Sequence, residues 1–341
     1  MSTRRKATLA DVAARAGVST TTASYVLNAR SQQMRIATET QDRVHRAVAE
    51  LAYRPNRSAR SLRTRKTASL AVISDFVASG HFASGMLAGA SVAARAHDHV
   101  LLIGETQGDP DIEHRLIEEM LDRQVDGFVL ASLVHRVADV PRMLTDQATI
   151  PTVLLNCVDR SRPLPAVVPD EVEGGRLAAR LLLDAGCADS IVVVGQDPTA
   201  DALAGPLRWE GVTAALAASG RRLAGLIPCD WNVGEAHAAV SRWLAEGAHP
   251  RGMVCMNDRI ALGTYQALDD HRLRVGRDVA VVSFDGTELA TWLRPQVSSV
   301  ALPFAELGSA AVELLMREGG PGHEVHRLSM PLVAGESAQL E

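Results

Sequence analysis

Residues 8–28 read Thr-Leu-Ala-Asp-Val-Ala-Ala-Arg-Ala-Gly-Val-Ser-Thr-Thr-Thr-Ala-Ser-Tyr-Val-Leu-Asn, a segment that admits few backbone arrangements. Leu9, Val12, Ala13 and Ala16 fall at i, i+3, i+4 and i+7, the apolar stripe of a short helix. Thr8 precedes the stripe with Asp11 three positions on, the spacing of a capping box. Gly17 follows the last apolar position, where a residue without Cβ turns left-handed with least steric cost. Ser19 is placed to cap a second helix, with Ala23, Val26 and Leu27 inward and Thr20, Thr21, Ser24 and Tyr25 outward. Two short helices joined at a glycine, the second showing small polar side chains and one tyrosine, make a helix-turn-helix suited to a DNA major groove.

The charge distribution supports that reading. Residues 1–66 hold 14 Lys and Arg against 4 Asp and Glu, whereas residues 67–341 hold 21 against 36. The net charge of −5 therefore conceals a basic head of +10 on an acidic body of −15. Only the head is built to meet a polyanion. A third helix is expected from about Glu39 to Ala52, opened by a Thr38/Gln41 capping box and striped by Val44, Ala47, Val48 and Leu51. Pro55 ends it. The stretch Asn56–Arg63 that follows is polar and basic with one large apolar residue, so it reads as a linker that folds on a partner.

At 47% hydrophobic residues the remainder can bury a core. From Ser69 short apolar runs alternate with helical periodicity. Strands are expected at 70–73, 100–103, 128–131, 153–155, 191–194, 223–227, 253–256 and 279–283, and helices at 115–121, 174–183, 209–218, 236–244 and 260–268. Such alternation means parallel sheets covered by helices on both faces, and its span favours two lobes over one very wide sheet. Ligands of such sheets sit beyond the strand C-termini, which puts a pocket between the lobes. Asp258 and Asp285 each follow an expected strand end, Arg208 opens a helix, and Trp231 offers a face for a sugar ring. A structural ion pair or strand cap is the alternative for each.

No Gly-x-Gly-x-x-Gly, phosphate-binding loop, nucleophile elbow or His-Glu-x-x-His occurs, and the eleven His show no metal-ligand spacing. No catalytic residue, cofactor or metal is expected. Cys157, Cys187, Cys229 and Cys255 lie far apart without CxxC pairing, as reduced thiols do. No secretory signal and no membrane-length apolar run is present, so a cytoplasmic protein, on the nucleoid when bound to DNA, is expected.

These residues resemble the lactose-repressor/galactose-repressor (LacI/GalR) family of bacterial transcription regulators. The resemblance runs from Thr8 to about Pro331. It is carried by Leu9-Ala-Asp-Val-Ala…Ala16-Gly-Val-Ser-x-x-Thr-x-Ser…Leu27-Asn28 and Leu51-x-Tyr-x-Pro-Asn-Arg-x-Ala-x-x-Leu62. Arg208-x-x-Gly211, Asn257-Asp258-x-x-Ala-Leu-Gly263 and Ser283-Phe-Asp285 extend it. The likeness implies an all-α helix-turn-helix headpiece (1–54), a hinge helix (55–66) and an α/β two-lobed periplasmic-binding-protein-like body (67–335). Lobe 1 would hold 67–165 and 300–325, and lobe 2 166–299 and 326–335. It implies that Thr20, Thr21 and Tyr25 read bases and that Ala59 and Leu62 enter the minor groove; Thr22, Asn28 and nearby Arg residues are better placed to set register on phosphates, and Ser24 joins the DNA-binding set. Packing on the phosphate backbone is the other role open to Tyr25, and Leu62 has the reading of an ordinary linker residue. It also implies that Asp75, Asn156 and Phe304 join Arg208, Trp231, Asn257, Asp258 and Asp285 around an effector, a sugar or nucleoside. The expected partners are an operator duplex, that small molecule and a second copy in a homodimer, with no membrane. The chain departs from the family at Tyr25, where arginine is common, at Ala23, where valine is common, and in a longer Arg30–Ile36 turn. No leucine heptad precedes Glu341, so no tetramer helix is expected.

Overall fold

The computed structural model describes residues 7–28, 30–53, 66–78, 80, 84–145, 150–187, 190–195, 202–247 and 249–340. Residues 1–67 and 68–341 form two separate compact units. In the first, helices α1 (Leu9–Ala16), α2 (Thr20–Leu27) and α3 (Thr38–Glu50) enclose a core of Val12, Ala13, Ala16, Ala23, Val26, Val44 and Ala47. The Thr8 hydroxyl accepts from the Asp11 N–H, and the Asp11 carboxylate accepts from the Thr8 N–H, closing the capping box. Gly17 adopts φ +67°, and Ser19 accepts from the Thr22 N–H. The box expected at Thr38 does not form. Thr38 is already helical, Ala37 takes the cap position without a side-chain bond, and the Gln41 amide donates to the Ile36 carbonyl at 2.8 Å. The helix stops at Glu50 rather than Ala52, whose φ of +46° is incompatible with a right-handed turn. Ala59 and Leu62 lie outside the described residues, as does nearly all of the expected hinge.

The second unit begins with β1 (Ser69–Ser74), α4 (Ser84–Ala96), β2 (Val100–Glu105), α5 (Pro110–Asp122), β3 (Phe128–Ala138), α6 (Arg142–Thr145), β4 (Thr152–Asp159) and β5 (Ala166–Pro169). It continues through α7 (Glu171–Asp184), β6 (Ile191–Val194), α8 (Ala204–Ala218), β7 (Gly225–Ile227), α9 (Val233–Ala245), β8 (Gly252–Cys255) and α10 (Asp258–Asp270). Then come β9 (Ala280–Asp285), α11 (Glu288–Trp292), β10 (Ser298–Ala301), α12 (Phe304–Leu315), β11 (Val325–Leu328) and β12 (Leu332–Val333). Two six-stranded sheets result, ordered β11-β5-β4-β3-β1-β2 and β12-β10-β9-β8-β6-β7. All described pairings are parallel except β10 with β12. Strands β1, β6, β8 and β10 are buried at every residue because helices cover both faces. The edge strands β2 and β7 are not.

The lobe boundaries differ from the expected ones. The chain leaves the first sheet after Pro169 rather than near residue 165, because β5 pairs with β4 and β11. Strand β11 also belongs to the first sheet, not the second, and only β12 returns across. Strand β10, although close to the expected crossing, still pairs with β9 in the second sheet. The lobes touch where β3 continues past a register shift between Ala131 and Arg136. There Arg136 bridges to Ala202, and the Leu203 N–H donates to the His135 carbonyl at 2.8 Å.

Candidate functional site

On the headpiece, Thr20, Thr21 and Asn28 are exposed, and Thr22, Ser24 and Tyr25 are half-buried. Local bonds already engage part of this set. The Thr22 hydroxyl lies 2.9 Å from that of Ser19, and the Asn28 amide donates to the Ser24 carbonyl at 2.7 Å. Thr20 and Thr21, in the first turn of α2, project outward beside the positive end of the helix.

The site in the body starts from a helix crossing. A Cβ on Gly175 would strike the Arg208 carbonyl, and one on Gly211 the Val172 carbonyl, so α7 and α8 touch backbone to backbone. That approach sets Arg208 against Glu171, the first residue of α7. Arg208 Nε donates to Glu171 Oε2 at 2.7 Å, Nη1 to the Met256 carbonyl at 2.5 Å and Nη2 to Asp285 Oδ1 at 3.3 Å. Its guanidinium lies over Phe284, 4.5 Å from the ring centroid, and near Trp231 at 5.5 Å. Burial drives Glu171 and Asp285 upward in pKa, against the pull of the shared arginine. One cation thus serves two carboxylates in a dry setting, an arrangement that holds only with these bonds intact.

These groups line a cavity of about 320 Å³ between the lobes. Its wall includes Asn156, Arg208, Trp231, Asp285 and Phe304 from the expected set, together with His135, Glu171 and Arg259. Among the described residues, three that line this cavity hold a buried polar atom without a hydrogen-bond partner: His135 at Nδ1, Asn156 at Oδ1 and Trp231 at Nε1. Asn156 is held by its own amide, which donates to the Ser132 and Leu133 carbonyls, so its oxygen is the end left over. Burial, then the charges of Arg208 and Arg327, pushes His135 down to about 4 and keeps it neutral at neutral pH.

Three expected residues do not line the cavity. Asp258 is 1% exposed, and its carboxylate accepts from Ser283 Oγ, Ser299 Oγ and both the N–H and hydroxyl of Thr287. It pins β9, β10 and the turn beyond Asp285, and burial with the nearby Asp285 charge raises it to about 6. Asn257 turns its side chain back to cap α10, accepting from the Ile260 N–H. Asp75 accepts from Ser132 Oγ and the Leu133 N–H, tying β1 to β3. Glu171 and His135 carried no local signal. An acidic first turn is ordinary in a helix, and His135 lies in a strand extension that no apolar run marks.

The description "Bacterial regulatory proteins, lacI family" matches residues 8–56, and "Periplasmic binding protein-like domain" matches 179–338. The ribose operon repressor of Haemophilus influenzae is 30% identical over 319 residues, covering 91% of each chain. The crystal structure of the lac repressor dimer bound to operator and the anti-inducer ONPF superposes with a TM-score of 0.80 at 25% identity, over 98% of this chain and all of that one. A transcriptional regulator CelR–cellobiose complex does so with a TM-score of 0.66 at 28% identity, over 97% and 99%. Capped headpiece, two parallel-sheet lobes and these likenesses agree: the chain belongs to the LacI family of bacterial regulatory proteins, DNA-binding regulators of transcription.

Proposed function

We propose that the protein is a repressor that grips a pseudopalindromic operator as a homodimer, with its grip set by a sugar or nucleoside in the interlobe cavity. The observation that carries the effector reading is a single cavity lined by His135, Asn156 and Trp231, each holding a buried polar atom (Nδ1, Oδ1 and Nε1) that no described residue bonds. Buried polar atoms are normally satisfied, so a wall that leaves three open is complementary to a ligand rich in donors and acceptors. A volume of about 320 Å³ sits at the small end of ligand pockets and fits a monosaccharide-sized molecule. A relative named for the ribose operon and another found with cellobiose agree with a sugar.

Asn156, Arg208, Trp231, Asp285 and Phe304 are proposed to surround the effector, while Asp75, Asn257 and Asp258 position them. In the headpiece, Thr20, Thr21 and Tyr25 are assigned to base edges and Thr22, Ser24 and Asn28 to phosphates. Ala59 and Leu62 are assigned to the minor groove from sequence alone, with Leu62 wedging the central step. One headpiece reads a half-site, so an operator with two needs two copies. Val92 on α4 and Val100 and Ile103 on edge strand β2 expose an apolar face suited to the second copy. The test combines selection of bound duplexes from a random pool with fluorescence anisotropy of the winner, with and without sugars and nucleosides. Salt-sensitive binding to a palindrome, shifted by one of these compounds, is the expected result. Absence of any preferred duplex overturns the reading.

A further inference from the structure

We infer that the gap between His135 and Glu171 is a seat for one hydroxyl of the effector, so that a neutral polyhydroxylated ligand is selected there. This rests on the effector reading above. His135 belongs to the first lobe and Glu171 to the second, and both line the cavity. Nδ1 of His135 and Oε1 of Glu171 stand 3.9 Å apart, with the side chains 4% and 1% exposed. That separation exceeds a hydrogen bond, and Nδ1 has no hydrogen-bond partner among the described residues. Glu171 directs Oε2 at Arg208 at 2.7 Å, while Oε1 receives only a contact of 3.4 Å from the same guanidinium. The His135 main chain is held by the Leu203 N–H, and the Glu171 carboxylate is held by Arg208.

An oxygen about 2.8 Å from both atoms would stand off the line between them, subtending about 90°, near the tetrahedral angle a hydroxyl prefers. With the imidazole proton on Nδ1, a hydroxyl there accepts from the N–H and donates to the carboxylate, both roles in one small group. An ammonium cannot accept, and a carboxylate or a fully ionised phosphate cannot donate. Either anion would also stand beside Glu171, whose carboxylate is already paired with Arg208, while the second cation on the wall, Arg259, acts on Asp285 instead. One hydroxyl in this seat bonds to both lobes at once.

The experiment is calorimetric titration of wild type, His135→Leu and His135→Asn with D-ribose, D-glucose, D-galactose, cellobiose, adenosine and uridine. It continues with the monodeoxy series and the phosphate monoester of whichever compound binds. One deoxy position is expected to weaken wild-type binding by about 100-fold, as losing both the imidazole bond and the bond to a buried charge does, and that of His135→Leu by only about 10-fold, because Glu171 still accepts there. His135→Asn is expected to recover part of that discrimination, and the phosphate monoester to bind more weakly than its parent. Circular dichroism confirms that each variant is folded, and if His135→Leu is not, His135→Asn carries the comparison. Equal losses in wild type and variants for every deoxy compound, or wild-type affinity for the parent in a folded variant, overturn the seat while leaving the effector reading intact. If no panel member binds folded wild type, the seat and the sugar-or-nucleoside reading fall together.

Discussion

In the headpiece, the pairs Thr8–Asp11, Ser19–Thr22 and Ser24–Asn28 lie three or four residues apart. In the body, the partners of Arg208 lie 37, 48 and 77 residues away, at Glu171, Met256 and Asp285. The first arrangement is a row of independent caps, each satisfying its own helix end. The second is a cluster in which the members depend on one another, because Arg208 and Glu171 at its centre are each only 1% exposed and have no water to fall back on. A change in the headpiece should therefore stay local, and a change in the body should spread.

The largest test of that contrast is Glu171→Ala. Removing one partner of a fully buried ion pair leaves Arg208 short of charge and is expected to cost about 3–5 kcal/mol, read from the urea midpoint of the body. A loss below about 1 kcal/mol would mean the cluster is as divisible as the caps.

Next come two opposed pH dependences of about 3 kcal/mol each, from pKa displacements of two to three pH units. His135, held down at about 4, contributes stability that is present above pH 6.5 and lost as pH falls towards 4. Asp258, held up at about 6, contributes stability that is present below pH 3.8 and lost as pH rises towards 6. His135→Asn should leave a body whose stability falls between pH 4.5 and 6, and Asp258→Asn one whose stability rises. Urea melts at the two pH values decide it, and identical slopes in both variants would remove these groups as the cause.

A smaller effect, about 2 kcal/mol or 10- to 100-fold in affinity, is expected for Asp285→Asn on the binding of whichever sugar or nucleoside the titrations identify. Duplex affinity without that compound should not move, and a parallel loss of both would join the two units energetically. Thr8→Ala removes one cap and should cost the headpiece about 1 kcal/mol by thermal melting. Arg15→Ala, which breaks the exposed pair with Glu50, should cost less still.

The same contrast decides what a linear reading recovers. Capping residues and apolar stripes sit within one or two turns, so α1, α2 and their glycine link were legible almost to the residue. Buried parallel strands such as β1 and β6 announce themselves as apolar runs. Strand β10 does not, because Ser298 and Ser299 spend their hydroxyls on Gly335 and Asp258 inside the core. Strand β11 is masked by His326 and Arg327, as befits an edge. Asp258 and Asp285 carried the same signature, a carboxylate just past a strand, and met different fates. Four donors converge on the first, while the second, at φ +94°, swings into the cavity beside Arg208. No spacing rule separates them, because the deciding groups come from other strands.

Where α7 meets α8, the glycines leave nothing soft between the two backbones. A shift of the α8 backbone at Arg208 cannot be absorbed there by a side chain changing rotamer. It passes into α7, whose first residue follows the strand where the polypeptide steps from one lobe to the other. The contact works as a rigid coupling rod between the two helix backbones.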